Sequence, residues 1–195
     1  MASACTPWRH PAWLPVGHTS AARYRARYDA AAGHRLVSVT LLAPPPFYQG
    51  YLLDTSVVSA LAPGREAYLP SAFGDWLQAH DAQLFLPAIA VAELAQGIAK
   101  LHRSGGMERA QRLDRWLDGL IAGFADRILP LDAQAARLAG RISDAAMAQG
   151  RHPGFADVAI AALAQNAGLL LLTRNLKHFE PLGVNCADPL THLPA

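Results

Sequence analysis

From residue 51 onward, short apolar runs alternate with longer segments of helical periodicity, and this alternation constrains the fold more than any other feature of the chain. The first apolar run, 51–53, is followed by helical patterns at 55–62 and 71–80, and Ser71 is the predicted N-cap of the second. Strands that alternate with helices imply right-handed βαβ crossovers and a parallel sheet covered by helices on both faces. We therefore expect an α/β fold.

The later segments continue the same pattern. Asp132 is the predicted N-cap of its helix, and Gly168 is expected to end the last long helix. Further strands are predicted at 84–86, 127–131 and 169–172, with a possible fifth at 184–186, and further helices at 89–101, 107–124, 133–147 and 155–166. The expected architecture is one domain with a parallel sheet of four to five strands flanked by helices.

Residues 1–46 lack this alternation. They contain six prolines, and five arginines against the single acid Asp29, whereas the rest of the chain has twelve basic and fourteen acidic residues. The apolar stretch 36–43 comes too late for a signal peptide. We expect an irregular, disordered extension or sequence upstream of a later start, and a folded domain over 47–192.

Composition excludes several classes of protein. Half of the residues are apolar, which is enough for a core. Cys5 and Cys186 are too few and too far apart for a disulfide framework or a cysteine metal site, which indicates a reducing cytoplasm. No apolar run approaches the ~18 residues that cross a bilayer, so no membrane association is expected. The net charge of +2 does not by itself indicate a nucleic-acid partner.

Three acidic residues stand where a parallel sheet places its functional groups. Asp54 follows the first strand, Glu93 lies early in the helix after the second strand, and Asp157 lies in the first turn of the helix before the fourth strand. Ligands of such sheets gather at the carboxyl ends of the strands. Carboxylates that converge there repel one another unless a cation lies among them, and oxygen ligands suit Mg²⁺ or Mn²⁺. Such a cluster can activate water for displacement at a phosphodiester.

Structural roles explain part of the same pattern. Asp54 can be an ordinary N-cap, and Glu93 can lie on the surface of an alanine-rich helix. Asp157 is harder to explain structurally, because it is a charge at the head of a nearly continuous apolar helix. Asp132 and Asp144 are assigned to capping and to solvent. Residue types and spacing alone indicate a possible metal-dependent hydrolase and do not identify its substrate.

Four motifs, the last of them in two segments, resemble a known family. They are 51–59 (YLLDTSVVS), 92–98 (AELAQGI), 127–132 (RILPLD), and 155–162 (FADVAIAA) followed by 172–179 (LTRNLKHF). In order and spacing these segments look like VapC-type PIN-domain ribonuclease toxins of type II toxin–antitoxin pairs. The likeness spans residue 48 to about residue 190.

This resemblance implies a Mg²⁺- or Mn²⁺-dependent endoribonuclease that hydrolyses RNA, forms a homodimer and is blocked by a cognate antitoxin protein. By position, Asp54 and Asp157 would be the principal metal ligands and Glu93 would complete the acidic cluster. The supporting residues would be Thr55, which orients groups near the metal through its hydroxyl, together with Ser56, Thr173 and Asn175.

The chain departs from the family pattern at two positions. Ser56 stands where members usually have Asn, and His178 stands where many carry a further acid. Asn175 can coordinate a cation or hold a water but adds no charge. A site with three carboxylates should hold a second cation less tightly than one with four, so one-metal and two-metal chemistry both remain open.

The residues at two positions argue against other functions that begin with an Asp after a strand. An aspartyl-phosphate phosphatase needs a second Asp two residues after the first, where this chain has Ser56, and a receiver domain needs an acidic pair at the first strand. The remaining alternative is a catalytically weak PIN domain that binds RNA or a partner without cutting. Six basic residues on helical segments either line a phosphate track or form solvated faces: Lys100, Arg103, Arg109, Arg112, Arg115 and Lys177.

Overall fold

In the described part of the chain, five short strands form one fully parallel sheet. The computed structural model describes residues 49–65 and 69–194. The strands are β1 (Tyr51–Leu53), β2 (Leu84–Pro87), β3 (Ile128–Leu129), β4 (Leu170–Leu172) and β5 (Cys186–Ala187). Their spatial order is β3-β2-β1-β4-β5, and each neighbouring pair is parallel. The predicted parallel sheet is confirmed, and so is its possible fifth strand.

Helices connect the strands and cover the sheet. They are α1 (Thr55–Ala60), α2 (Ser71–Ala79), α3 (Ala88–Arg103), α4 (Met107–Phe124), α5 (Ala133–Ala148), α6 (Phe155–Ala167) and α7 (Leu176–Phe179). Single 3₁₀ turns lie at Asp81–Gln83, Ala125–Arg127 and Glu180–Leu182. Every helix predicted between residues 55 and 166 is present, with ends that differ by at most a few residues, so the α/β alternation is confirmed.

The alternation of side chains along the strands divides the core into two layers. On β1, Leu52 packs into a cluster formed with α5 and α6, whereas Tyr51 and Leu53 pack into a cluster formed with α1, α2 and α3. Neighbouring residues of a strand point to opposite faces of its sheet, which explains the division. The result is a sandwich of three layers, with helices on both faces of the sheet.

Helix α6 is the most deeply buried of the helices. Seven consecutive residues from Val158 to Ala164 are buried, so apolar side chains cover its whole circumference. The helix ends at Gly168, whose φ of 64° lies in the left-handed region that glycine adopts at low cost. This end turns the chain directly into β4, as the position of Gly168 in the sequence predicts.

Two local predictions were wrong. Ser71 does not cap α2; it is the first helical residue, and the N-cap position belongs to Pro70, which makes no capping side-chain bond. The third strand is limited to Ile128–Leu129 because Arg127 ends a 3₁₀ turn and Pro130, lacking an N–H, cannot extend the ladder. The predicted N-cap at Asp132 is confirmed, since its Oδ1 accepts from the N–H of Ala135 at 2.8 Å.

The expectation for residues 1–46 lies outside the described residues. Within the described ranges, none of the helices combines the length and the apolar character needed to span a membrane.

Candidate functional site

The centre of the sheet's carboxyl edge is the switch point of the fold. The chain proceeds from β1 to β2 on one side, whereas β4 pairs with β1 on the other. Ligands of open parallel sheets bind in the crevice at such a point. Leu53 is in register with Leu172, so the next residues on the two strands, Asp54 and Thr173, lie side by side in this crevice.

Asp54 is held there by a compact set of hydrogen bonds. The N–H of Asp54 donates to the carbonyl of Leu172 at 2.9 Å, which extends the sheet by one residue. Its Oδ2 accepts from the hydroxyl of Thr173 at 2.8 Å and from the hydroxyl of Ser56 at 2.6 Å. The N–H of Ser56 also donates to Oδ2, at 3.3 Å, so Asp54 is the N-cap of α1 as well. Ser56 therefore makes hydrogen bonds at the position where the resemblance expects Asn.

The same two hydroxyls fix the loop after β4. The Ser56 hydroxyl accepts from the N–H of Arg174 at 3.0 Å, and the Thr173 hydroxyl accepts from the N–H of Asn175 at 3.0 Å. Each hydroxyl thus donates to Asp54 and accepts from the loop. Helix α1 and the loop are tied to one carboxylate, which fixes its orientation.

Among the described residues, Asp54 has no cationic partner despite its burial. It is 4% exposed, and the ion pairs within 4 Å in the described ranges are Arg127–Asp81 and His178–Asp157. All hydrogen bonds to the Asp54 carboxylate from described residues end on Oδ2. A buried carboxylate is costly without a compensating positive charge. Because these donors bind Oδ2, the other carboxylate oxygen, Oδ1, is left to bind an added cation.

Glu93 lies on the neighbouring helix and is bound to the start of α1. The hydroxyl of Thr55 donates to Oε2 of Glu93 at 2.5 Å. This bond joins α1 to α3 across 38 residues of sequence. The hydroxyl of Thr55 orients an acidic side chain, as the resemblance implies.

Asp157 lies in the first turn of α6, where the helix dipole favours a negative charge. Its Oδ2 is 3.3 Å from Nδ1 of His178 on α7. The Asp157 side chain is 29% exposed and that of His178 is 49% exposed, so the pair lies at the rim of the domain, open to solvent. His178, at the position where the resemblance expects a further acid, is thus a direct neighbour of Asp157.

The three predicted acids each contact a different set of neighbouring side chains. Asp54 contacts Ser56 and Thr173, Glu93 contacts Thr55, and Asp157 contacts His178. No group of three His, Cys, Asp or Glu side chains in the described part of the chain is placed to hold a metal ion as it stands. The donor set itself is chemically suited to a hard divalent cation, since it offers carboxylate oxygens with hydroxyls around them.

Two clefts border α1 near these residues. One, of about 300 Å³, is lined by Arg65 and Arg174, and the other, of about 230 Å³, is lined by Glu93, Arg65 and Trp116 among others. Sequence reasoning missed Arg65 and Trp116. Arg65 follows α1 in an irregular segment, and Trp116 belongs to an amphipathic helix that predicts a core position, so neither carried a local signal.

Comparison with known proteins identifies the family. The PIN domain family matches residues 51–181. The chain is 33% identical over 139 residues to the VapC ribonuclease Y4jK of Sinorhizobium fredii, a match that covers 71% of this chain and 96% of that relative. It is also 33% identical to Toxin FitB of Neisseria gonorrhoeae over 138 residues, with the same coverage of 71% and 96%.

Solved structures agree with the sequence matches. The crystal structure of FitAcB from Neisseria gonorrhoeae superposes with a TM-score of 0.61 at 33% identity, covering 73% of this chain and 99% of that one. The sheet order, the buried aspartate at the switch point and these matches together lead to one assignment. The chain belongs to the PIN-domain family, among the VapC-type toxins of toxin–antitoxin systems.

Proposed function

We propose that this protein is a metal-dependent endoribonuclease, the toxin of a toxin–antitoxin pair, and that Asp54, Glu93 and Asp157 form its catalytic and metal-binding cluster. The observation that carries the proposal is Asp54. A buried carboxylate at the switch point of a parallel sheet, with hydroxyl donors on one oxygen and no cation within 4 Å among the described residues, is suited to bind a divalent ion.

The chain's own residues have distinct tasks in this proposal. Ser56 and Thr173 hold Oδ2 of Asp54, so its orientation is set before substrate arrives. Thr55 holds Oε2 of Glu93 in the same way. Preorganised ligands lower the cost of reorganisation during a reaction.

The cation of this proposal is Mg²⁺ or Mn²⁺, because the three proposed ligands are carboxylates. When bound, such an ion stabilises negative charge on phosphoryl oxygens and makes an attacking water more acidic. Asp54 and Asp157 would be its main ligands, and Glu93 would complete the set. Asn175, which is exposed in the loop after β4, adds a neutral oxygen donor within the same segment.

The proposal also covers the substrate, the protein partners and the cellular location. The substrate is RNA, a cognate antitoxin protein blocks the active site, and the toxin acts as a homodimer in the cytoplasm. Its relatives support the toxin assignment, since they are named as a VapC ribonuclease and as Toxin FitB. Light scattering on the purified chain tests the dimer.

A second candidate function is a catalytically weak PIN domain that binds RNA or a partner without cutting. The observation that favours it is His178, which places an imidazole rather than a carboxylate beside Asp157, where the resemblance expects a further acid. The two candidates differ in one property. Only the nuclease cuts RNA in a reaction that a chelator stops.

The decisive experiment measures cleavage of a labelled single-stranded RNA by the purified protein. We expect cleavage that EDTA abolishes and that added Mg²⁺ or Mn²⁺ restores. Asp54→Asn and Asp157→Asn should each lower the rate about 100-fold or more, since several kcal/mol of charge stabilisation depends on the ion.

Asp144→Asn is the matched control, because Asp144 is exposed on α5 and forms no part of the site. Asn also accepts hydrogen bonds at an N-cap, so Asp54→Asn should keep the fold and the melting temperature. Near-normal cleavage by either variant would show that the substituted aspartate is not a catalytic metal ligand. RNA that stays intact with both metals present supports the binding-module alternative instead.

A further inference from the structure

The chain that follows β5 makes a defined turn at Asp188. The N–H of Leu190 donates to Oδ1 of Asp188 at 2.9 Å, and the N–H of His192 donates to the Asp188 carbonyl at 3.1 Å. The hydroxyl of Thr191 donates to the same carbonyl at 2.9 Å. Aspartate favours turns because its side chain can accept from a backbone N–H two residues later. Residues 188–194, the C-terminal strap, therefore begin in a fixed conformation.

Two contacts hold the C-terminal strap on the domain. Pro189 is buried, and Leu190 packs against the core cluster formed with α1, α2 and α3. At the far end of the strap, the indole N–H of Trp76 on α2 donates to the carbonyl of Pro194 at 2.9 Å. Trp76 is 8% exposed, and its ring contacts Tyr51 of β1 edge-on, with 4.7 Å between the ring centroids. The strap thus joins β5 to α2.

The strap begins next to a residue that holds the proposed catalytic aspartate. The carbonyl of Ala187, the last residue of β5, accepts from the N–H of Thr173 at 2.9 Å. The hydroxyl of Thr173 donates in turn to Oδ2 of Asp54 at 2.8 Å. Leu190 also lines the cleft of about 300 Å³ that Arg174 lines. The strap therefore adjoins the loop after β4, which orients Asp54.

Strand β5 is short for the position that it has to hold. It consists of two residues and, in the described part of the sheet, it lies at the edge and pairs with β4 alone. Strands of globular proteins usually have about 3–10 residues. A two-residue edge strand makes few backbone hydrogen bonds, and segments with few such bonds open easily. The place of Ala187 therefore depends on the contacts that fix the chain after it.

We propose that the C-terminal strap positions the loop after β4, so that Thr173 and Arg174 keep the hydrogen bonds that orient Asp54. Leu190 and Trp76 are then positioning residues, which act through β5 and the loop without touching substrate or metal. The inference rests on the proposed ribonuclease function and adds to it two residues outside the acidic cluster. A strap that only adds stability would change the exchange of all core amides alike, whereas a positioning strap acts on the loop first.

Hydrogen exchange, measured by NMR on the full-length protein with EDTA and without RNA, tests the strap. An amide exchanges when its hydrogen bond opens, so each rate reports local opening. In Leu190→Ala, the amides of Thr173 and Arg174 should exchange about tenfold faster relative to that of Ile160, which lies in the buried part of α6. Leu190→Met keeps most of the apolar contact and should restore the rates of the parent. Trp76→Phe removes the indole N–H and should accelerate the same two amides to a smaller extent.

Leu120→Ala is the matched control. Leu120 is a partly buried leucine packed against the same core cluster, but it lies near the end of α4 that leads into β3, at the amino end of the sheet. Leu120→Ala should lower the melting temperature about as much as Leu190→Ala does. Its ratio of the Thr173 and Ile160 exchange rates should stay at the value of the parent. Equal ratios in the two alanine variants would overturn the proposal.

Calorimetric titration with Mn²⁺ tests whether the loop matters to the site. Leu190→Ala should weaken Mn²⁺ binding about threefold, less than the roughly tenfold loss that follows removal of a group bonded directly to a metal ligand. Leu120→Ala should leave the affinity unchanged. Faster exchange at Thr173 with an unchanged Mn²⁺ affinity would overturn the positioning role. Unchanged exchange in Trp76→Phe would overturn the assignment of Trp76.

The strap and the proposed function fail in different ways. If the parent cuts RNA with metal while Leu190→Ala has the exchange ratio and the Mn²⁺ affinity of the parent, the strap is refuted and the nuclease stands. If the parent neither binds Mn²⁺ nor cuts RNA, the proposed function fails, and the positioning role that rests on it fails as well, whatever the exchange rates.

Discussion

At the scale of single residues, the carboxylate of Asp54 takes part in two kinds of contact. It caps α1 through the N–H of Ser56, which is the ordinary structural role of an aspartate after a strand. It also accepts the hydroxyl of Thr173, 119 residues away in the sequence. Capping explains the first contact but neither the second nor the burial of the charge. The structural and the functional explanations of Asp54 are therefore compatible.

His178 provides a sharper test of the metal site. Its Nδ1 is 3.3 Å from Asp157, so a group at this position adjoins a proposed ligand. His178→Asp should lower the Mg²⁺ concentration for half-maximal cleavage about tenfold, which corresponds to ~1.4 kcal/mol for one added carboxylate. Calorimetric titration with Mn²⁺ should show a matching gain in affinity.

His178→Asn is the matched control for this prediction, since it has the shape of aspartate without the charge. Its titration curve should remain close to that of the parent or shift to higher Mg²⁺. Superimposable curves for all three proteins would mean that residue 178 lies outside the metal site, despite its contact with Asp157.

Cys186 on β5 carries a prediction about pH. Burial, with a smaller contribution from the negative charge of Glu180, raises the pKa of this thiol from 9.0 to about 11. A raised pKa means less thiolate, so at pH 8 the reactive form should be about 100-fold scarcer than for an ordinary cysteine. In a Cys5→Ser protein, a thiol-specific disulfide reagent should label Cys186 slowly until denaturant is added. Rapid labelling of the native protein would contradict this environment.

At the scale of elements, the start of α5 depends on one side chain. Oδ1 of Asp132 accepts from the N–H of Ala135 at 2.8 Å, and its backbone is extended as an N-cap requires. Asp132→Ala should lower the free energy of unfolding by about 1 kcal/mol. Asp144→Ala, at an exposed position in the C-terminal half of the same helix, should change it by less than about 0.5 kcal/mol. Equal losses in urea denaturation would show that the cap is not the source of the effect.

The sequence predicted the elements well because their signals are local. Strands are short apolar runs, α6 is a long apolar run ended by Gly168, and Asp132 is a capping residue followed by a helical pattern. The prediction for Ser71 was wrong because a serine at the start of a helical pattern resembles an N-cap, whereas Pro70 holds that position and Ser71 is the first residue of the helix. The third strand was predicted too long because its length was judged from apolar character alone. Pro130 lacks the N–H that a further residue of the strand would need.

The site was harder to predict because its contacts depend on register. The bond from Thr173 to Asp54 exists because Leu53 pairs with Leu172, which no local pattern reveals. The resemblance to a known family identified the candidate residues, whereas the strand order determined which residues lie next to them. The cleft lined by Glu93 and Trp116 had no sequence signal, because three separate helices contribute to it.

At the scale of the whole molecule, strand order decides which residues meet. Strand β1 is central, with β2 on one side and β4 on the other. The residues that follow β1 and β4 therefore share one crevice, while α3, which follows β2, brings Glu93 to the neighbouring side. The proposed catalytic residues therefore lie at one end of the sheet.

The last prediction concerns residues 1–46, which lack the strand–helix alternation and carry five arginines against one acid. The family match begins at residue 51, and about 71% of this chain accounts for 96% of the VapC ribonuclease Y4jK. The 139 matched residues thus correspond to almost the whole length of that relative. A protein made of Met followed by residues 47–195 should keep its melting temperature and its rate of RNA cleavage at physiological salt.

The control for this prediction follows from the positive charge of residues 1–46. Arginines that touch phosphates nonspecifically strengthen RNA binding chiefly at low salt, so both proteins are compared at two salt concentrations. A difference in RNA affinity confined to low salt fits a charged extension that is dispensable for the fold. A large loss of melting temperature, or of cleavage at both salt concentrations, would mean that residues 1–46 pack on the domain and that the predicted boundary at residue 47 is wrong.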